Sequence, residues 1–222
     1  MLQNYCNCFS EGDIWKKWVF LKSHDAYKGR AFFFPTTTEE RTKSDYNLKK
    51  LPDEGDNPEL LRHAVFRFMC RVAILNINPR SEITPYSMLI HTAGKTNDHE
   101  KDQKDLQNIL GVLSNDQSTK RDNYLDQLLK VTQDLINFHG APYSAIEIAK
   151  FIINNIGKSE VLVINHKNDA GNVKRAGQPK SLFTFAIGGN IVSRGLTFEN
   201  LLTFFFSRNV KNKLQQNTYI QR

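Results

Sequence analysis

The chain has 222 residues, 40% hydrophobic and 24% charged, with 30 lysines and arginines against 23 acidic residues. That length holds one domain, or one domain with an appendage, and no apolar run approaches the roughly 20 residues that cross a bilayer. The formal charge of +7 permits attraction to nucleic acid without proving it, because the basic residues are dispersed rather than gathered in one tract.

From the N-terminus, "MLQNYCNCFSEGDIW" lacks the basic, apolar and small-residue segments of a signal peptide, so the cytoplasm is the expected location. Cys6 and Cys8 have no second Cys/His pair nearby at zinc-like spacing, and with Cys70 they make an odd number. Reduced thiols and no metal site are the expectation. Residues 1–55 read as an appendage, with "WVFLKS" and "RAFFFP" as short strands and a polar, turn-rich stretch behind them.

The second region, 56–222, begins with a helix from about Pro58 to Ile77, with Asn57 as N-cap. Leu61, Val65, Phe68, Val72 and Leu75 recur at helical spacing and form its expected buried stripe. "YSMLIHT" (86–92) reads as a buried strand. Helices follow around 97–113 and 116–138, then a third over "SAIEIAKFIINNI". "EVLVINH" (160–166), "LFTFAIGG" (182–189) and "LLTFFFS" (201–207) are three more strands, with a glycine- and lysine-bearing loop before the second of them. "KLQQNTYIQR" begins a last helix. Near-continuous apolar strands separated by helices predict an α/β fold, a parallel sheet covered on both faces. Functional groups in such a sheet collect beyond the carboxyl ends of the strands.

"HTAGKTNDH" places Gly94, Lys95 and Thr96 directly after a strand, which invites a phosphate-binding loop. The full pattern needs a glycine where Leu89 stands, inside the strand. A strand-to-helix turn capped by Thr96 or Asn97 is the better reading. His91, at the strand end, is a lone histidine of the kind that more often serves structure than base catalysis. "DEGD" (53–56) sits where negative charge favours a helix N-terminus.

The least ordinary stretch is "IGGNIVSRGLTFENLLTFFFS" (187–207). An apolar strand breaks at paired glycines, offers Asn190, Ser193, Arg194 and Gly195, and then resumes as another apolar strand. Glycines let backbone approach a ligand closely, and an arginine fork suits phosphate or carboxylate.

With this block and "QNTYIQR" both in view, the chain resembles the C-terminal, RecA-like lobe of superfamily-two helicases. It is more closely similar to the endonuclease Z-one domain of bacterial restriction-modification and defence operons. In that domain a "GGN-x-x-SRGLT-x-x-x-L" block precedes an apolar strand and a "Q-x-x-R" or "Q-x-GR" helix. Here these are Gly188 to Leu201, Leu201 to Ser207, and Gln221 with Arg222. "YSMLIHT" matches the family's "SMLIHTS" strand, and the resemblance covers roughly residues 58–222. Thr197 stands where many helicases carry an acidic residue, and the Z-one domain shares that threonine.

The resemblance implies a RecA-like second lobe with an N-terminal appendage. It implies an ATP-cleft and coupling set of Gly188, Gly189, Asn190, Ser193, Arg194, Gly195, Thr197, Gln221 and Arg222. His91 and Thr92 match a strand-end motif whose relatives touch the nucleic-acid strand, and Lys167, Lys174 and Arg175 are expected to add phosphate contacts. The partners implied are DNA and other operon proteins. ATP and Mg2+ would be held mainly by a first lobe, whose phosphate-binding loop and acidic motif are not found in these residues. The family's arginine finger lies past the "QR" pair. Without both, no appreciable ATP hydrolysis is expected of this polypeptide alone. A non-catalytic nucleic-acid-binding or partner-docking module remains the alternative, and a small kinase using Lys95 a third.

Overall fold

A computed structural model of the chain describes residues 58–78, 82–91, 96–164, 170–189 and 197–206. The appendage expected over 1–55 and the last helix expected from Lys213 lie outside the described residues. The elements are α1 (Pro58–Asn76), β1 (Tyr86–His91), α2 (Thr96–Ser114), α3 (Arg121–His139), α4 (Ala145–Asn155), β2 (Ser159–Ile164), α5 (Ala170–Gly177), β3 (Phe183–Gly188) and β4 (Leu201–Phe206). The four strands form one parallel sheet in the order β2-β3-β1-β4. The α/β architecture expected from the sequence is therefore present.

Burial follows strand position. All six residues of β3 are buried and five of six in β1, whereas β2 and β4, at the edges, are mostly half-buried. On one face, Phe68 of α1 meets Phe185 and Phe183 edge-on, at ring-centroid distances of 5.2 and 6.4 Å. Such aromatic pairs add about 1 kcal/mol each beyond the area they bury. On the other face, Leu89, Leu162, Ile164 and Ala186 form a cluster with Ala176 of α5, against which Val173, Phe198, Leu201 and Phe204 pack.

α1 buries more than one stripe. Leu61, Val65, Phe68 and Val72 are buried as their spacing predicts, and so are Phe66, Met69 and Cys70. The reason is a second helical layer: α3 and α4 pack on the side of α1 away from the sheet. Leu75, expected in the stripe, is instead 49% exposed. In that last turn the inward position belongs to Asn76, whose Oδ1 accepts from Thr84 N at 2.7 Å and whose Nδ2 donates to Thr84 O at 3.1 Å. The clamp fixes the return of the chain into β1.

Two other boundaries differ from the sequence expectation. α3 starts at Arg121 rather than near 116, because Asn115 to Lys120 form turns. Asn115 Oδ1 accepts from Gln117 N, the local side-chain bond by which Asn competes with a helix, and Arg121 N donates to Ser118 O in the turn that follows. The glycine- and lysine-bearing loop before β3 contains α5. The pair Val173 and Ala176 gives that short helix its apolar edge against the sheet.

Candidate functional site

Strand connections position the site. From β1 the chain crosses β3 to reach β2 by way of α2, α3 and α4, and α2 packs against α1 on the same face. From β2 it returns in the opposite direction to β3 through α5, on the other face. Reversing direction while changing face keeps a single handedness of crossover, as parallel sheets require. The connection from β3 to β4 carries Phe198, which also packs on the α5 face. β1 and β3 are thus neighbours whose outgoing connections leave to opposite faces. That is a topological switch point, where open α/β sheets bind ligands.

Gly188 ends β3 at this point, paired in register with His91 of β1 on one side and Ile164 of β2 on the other. Gly188 and Gly189 are both buried. Neither position brings a Cβ to the strand end. His91 is 1% exposed and lies flat on Phe206, with centroids 4.6 Å apart and ring planes 4° from parallel; Phe204 flanks it at 6.3 Å. The imidazole is packed at the strand ends against these two rings.

Of the residues the sequence singled out, the structure brings His91, Gly188 and Gly189 together at the carboxyl ends of the central strands. Thr197 lies a few residues ahead of β4, exposed. Asn190, Ser193, Arg194, Gly195, Thr92, Lys167, Gln221 and Arg222 lie outside the described residues. So do Gly94 and Lys95; α2 starts at Thr96, with four residues between it and the end of β1.

Lys174 and Arg175 do not join this cluster. α5 runs back along the sheet, and Arg175 Nη1 pairs with Glu160 Oε1 at 2.8 Å, near the start of β2. Glu160 is in register with Thr184, four residues before Gly188, which is about 13 Å along the strand. The Arg175 guanidinium therefore lies along the β2 edge of the sheet, toward the start of that strand, and not at its end beside Gly188. Gln178 and Lys180 sit with Lys174 and Arg175 and were not picked out from sequence. The signal was present as basic and amide residues interleaved with and following the Val173–Ala176 pair, but two glycines in "AGNVKRAG" pointed to a loop.

The remaining buried polar groups support structure. Arg62, 9% exposed, donates to Gln127 Oε1 at 2.8 Å and to the Tyr124 hydroxyl at 3.4 Å, with its guanidinium 4.7 Å from the Tyr124 ring centroid. The Cys70 thiol lies 3.1 Å from Thr132 Oγ1, which donates to Leu128 O. Burial pushes that thiol up to about 12, the hydroxyl contact opposing the shift only in part. Among the described residues no three His, Cys, Asp or Glu side chains gather as metal ligands, and no helix is long and apolar enough to cross a membrane.

No curated protein and no solved structure matches the chain. The Z1 domain matches residues 60–221, from the first turn of α1 through the "SRGLT" region and beyond. That span includes the whole sheet and the switch point built on it, so the chain belongs to the Z1 domain family.

Proposed function

We propose that this chain acts as the nucleic-acid-facing second lobe of a helicase-like DNA translocase in a restriction-modification or defence system. The coarser part of this statement, a nuclease-like component of a defence system, follows from membership in the Z1 family. The observation that supports the finer part is the register of His91 with Gly188 at the switch point. The "GGNIVSRGLT" block leaves the sheet from that point, with glycine backbone and no side chain at the strand end.

The residues fit such a role on chemical grounds. Buried glycines allow a phosphate or ribose to approach main-chain amides. Ser193 and Asn190 are small hydrogen-bonding groups, and Arg194 brings a planar fork for phosphate or for a carboxylate across a cleft. His91, stacked on Phe206 at the strand ends, lies next to Gly188, where this block begins. ATP and Mg2+ would be bound mainly by a partner lobe, to which this block would respond on closure.

A binding or docking module without ATP turnover is the second reading, favoured by the absence of a complete phosphate-binding-loop pattern from the 222 residues. The two are separated by measuring duplex binding and ATP hydrolysis of the chain with and without the other products of its operon. ATP turnover that appears on adding a partner and falls in Arg194→Ala supports the translocase lobe. DNA binding with no turnover under any combination supports the module.

A further inference from the structure

The geometry points to a second phosphate-binding site, in the pocket beside α5 along the β2 edge of the sheet, which holds the nucleic-acid backbone independently of the strand-end block. An open cavity of about 410 Å3 is lined by Gly171, Asn172, Lys174, Arg175, Gln178 and Lys180. Of the five side chains on these described residues three are cationic and none is acidic, the sign a phosphate requires.

Each group has a distinct task. Arg175 is held in place: Nη1 pairs with Glu160 at 2.8 Å and Nη2 donates to Asn172 Oδ1 at 2.9 Å. Asn172 in turn donates to Val163 O at 3.2 Å, which ties the cluster to β2. Because Glu160 already neutralises it, Arg175 shapes the wall more than it supplies charge. Lys174 and Lys180 are exposed, and neither forms an ion pair among the described residues. Their two ammonium groups are the charge that a phosphate diester would meet. Gln178 Nε2 donates to Glu199 Oε1 at 2.8 Å, and Glu199 N donates to Gly177 O at 2.9 Å. The end of α5 is thereby tied to the segment that follows the "SRGLT" block. A backbone seated in this pocket touches no base edge, so the contact reads no sequence.

The site rests on the proposed nucleic-acid track, and its test separates the two. A fluorescein-labelled 20-base-pair duplex is titrated with the full chain over a series of KCl concentrations, for wild type, Lys174→Ala/Lys180→Ala and Arg194→Ala. The circular dichroism of each variant serves as a folding control. Each neutralised phosphate contributes about 0.9 to the slope of log K against log salt, so the double variant is expected to lower that slope by about 1.8. An unchanged slope in the double variant, with binding lost in Arg194→Ala, overturns the pocket and leaves the strand-end reading standing. A lowered slope in the double variant with Arg194→Ala unaffected does the reverse. In parallel, wild type and double variant are titrated with inorganic pyrophosphate. Pyrophosphate binding that the double variant loses, with no duplex binding by wild type, reassigns the pocket to a free phosphate compound and overturns the nucleic-acid assignment. No binding of either probe overturns it as well.

Discussion

His91 and Phe206 end adjacent strands with their rings stacked, 4.6 Å between centroids and 4° from parallel. The pair closes the end of the β1–β4 seam beside the crevice where Gly188 meets His91 in register. A residue from the middle of the chain and one from the far side of the glycine block thus hold the same strand edge. Removing the imidazole takes away a stacked contact and leaves a cavity. His91→Ala is expected to lower stability by about 2 kcal/mol, and His91→Phe to recover part of it. Urea denaturation checks both.

Arg62 ties α1 to α3 through Gln127 and the Tyr124 ring. Its contact with Glu59, at 3.5 Å, adds little because Glu59 is 71% exposed. Arg62→Ala loses the hydrogen bonds and the cation–π contact together and is expected to cost about 2–4 kcal/mol. Arg62→Lys recovers only a fraction, since an ammonium cannot reproduce the fork. Thermal or urea unfolding of the two variants distinguishes these outcomes.

Cys70 supplies a pH dependence whose sign is fixed. Burial raises its thiol from 9.0 to about 12. The neutral thiol is retained by the folded chain while the unfolded chain ionises. The associated stability is complete below pH 9 and is lost progressively as pH rises from 9 toward 12. The urea midpoint should therefore fall more steeply above pH 9 in wild type than in Cys70→Ala. At pH 8, peptide mapping after iodoacetamide treatment should show Cys70 unmodified in the native chain and alkylated in denaturant.

At the start of α4, Ser144 Oγ accepts from Glu147 N at 3.2 Å while Glu147 Oε2 accepts from Ser144 N at 2.8 Å, a reciprocal capping box. These bonds hold the Glu147 carboxyl below its usual range, the backbone bond first and the hydroxyl bond second. Its contribution is present above the unfolded value of 4.5 and is lost as pH falls through the lower folded value. Ser144→Ala should lower the thermal midpoint at pH 7 by roughly 2–4 °C, with the difference from wild type shrinking in acid.

The sheet was legible because its central strands carry their own signal. "FTFAIG" and "SMLIH" are apolar throughout, as strands covered on both faces must be, and both are buried along nearly their whole length. The stripe on α1 was legible only in part. Helical spacing identifies the side facing the sheet, but nothing local says that α3 and α4 will cover Phe66 and Met69 from behind. α5 was hidden because eight residues with two glycines have weak helix propensity; the packing of Val173 and Ala176 on the sheet overrides it. The course of α5 was not legible either: the helix runs back along β2, with Asn172 donating to Val163 O and Arg175 paired with Glu160, a placement that no local signal gives. The glycine pair was the better guide, because a chain break at the end of a central strand has only one place to be.

The central claim is that the block leaving Gly188 grips a nucleic-acid backbone, and Arg194→Ala tests it most directly. Binding of a labelled duplex by the full chain is measured by fluorescence anisotropy from 50 to 300 mM KCl. The account predicts that log K falls linearly with log salt, and that Arg194→Ala weakens binding to unrelated sequences alike while lowering the slope by about 0.9. Binding that is insensitive to salt, or a variant that binds as wild type does at every salt concentration, would contradict it.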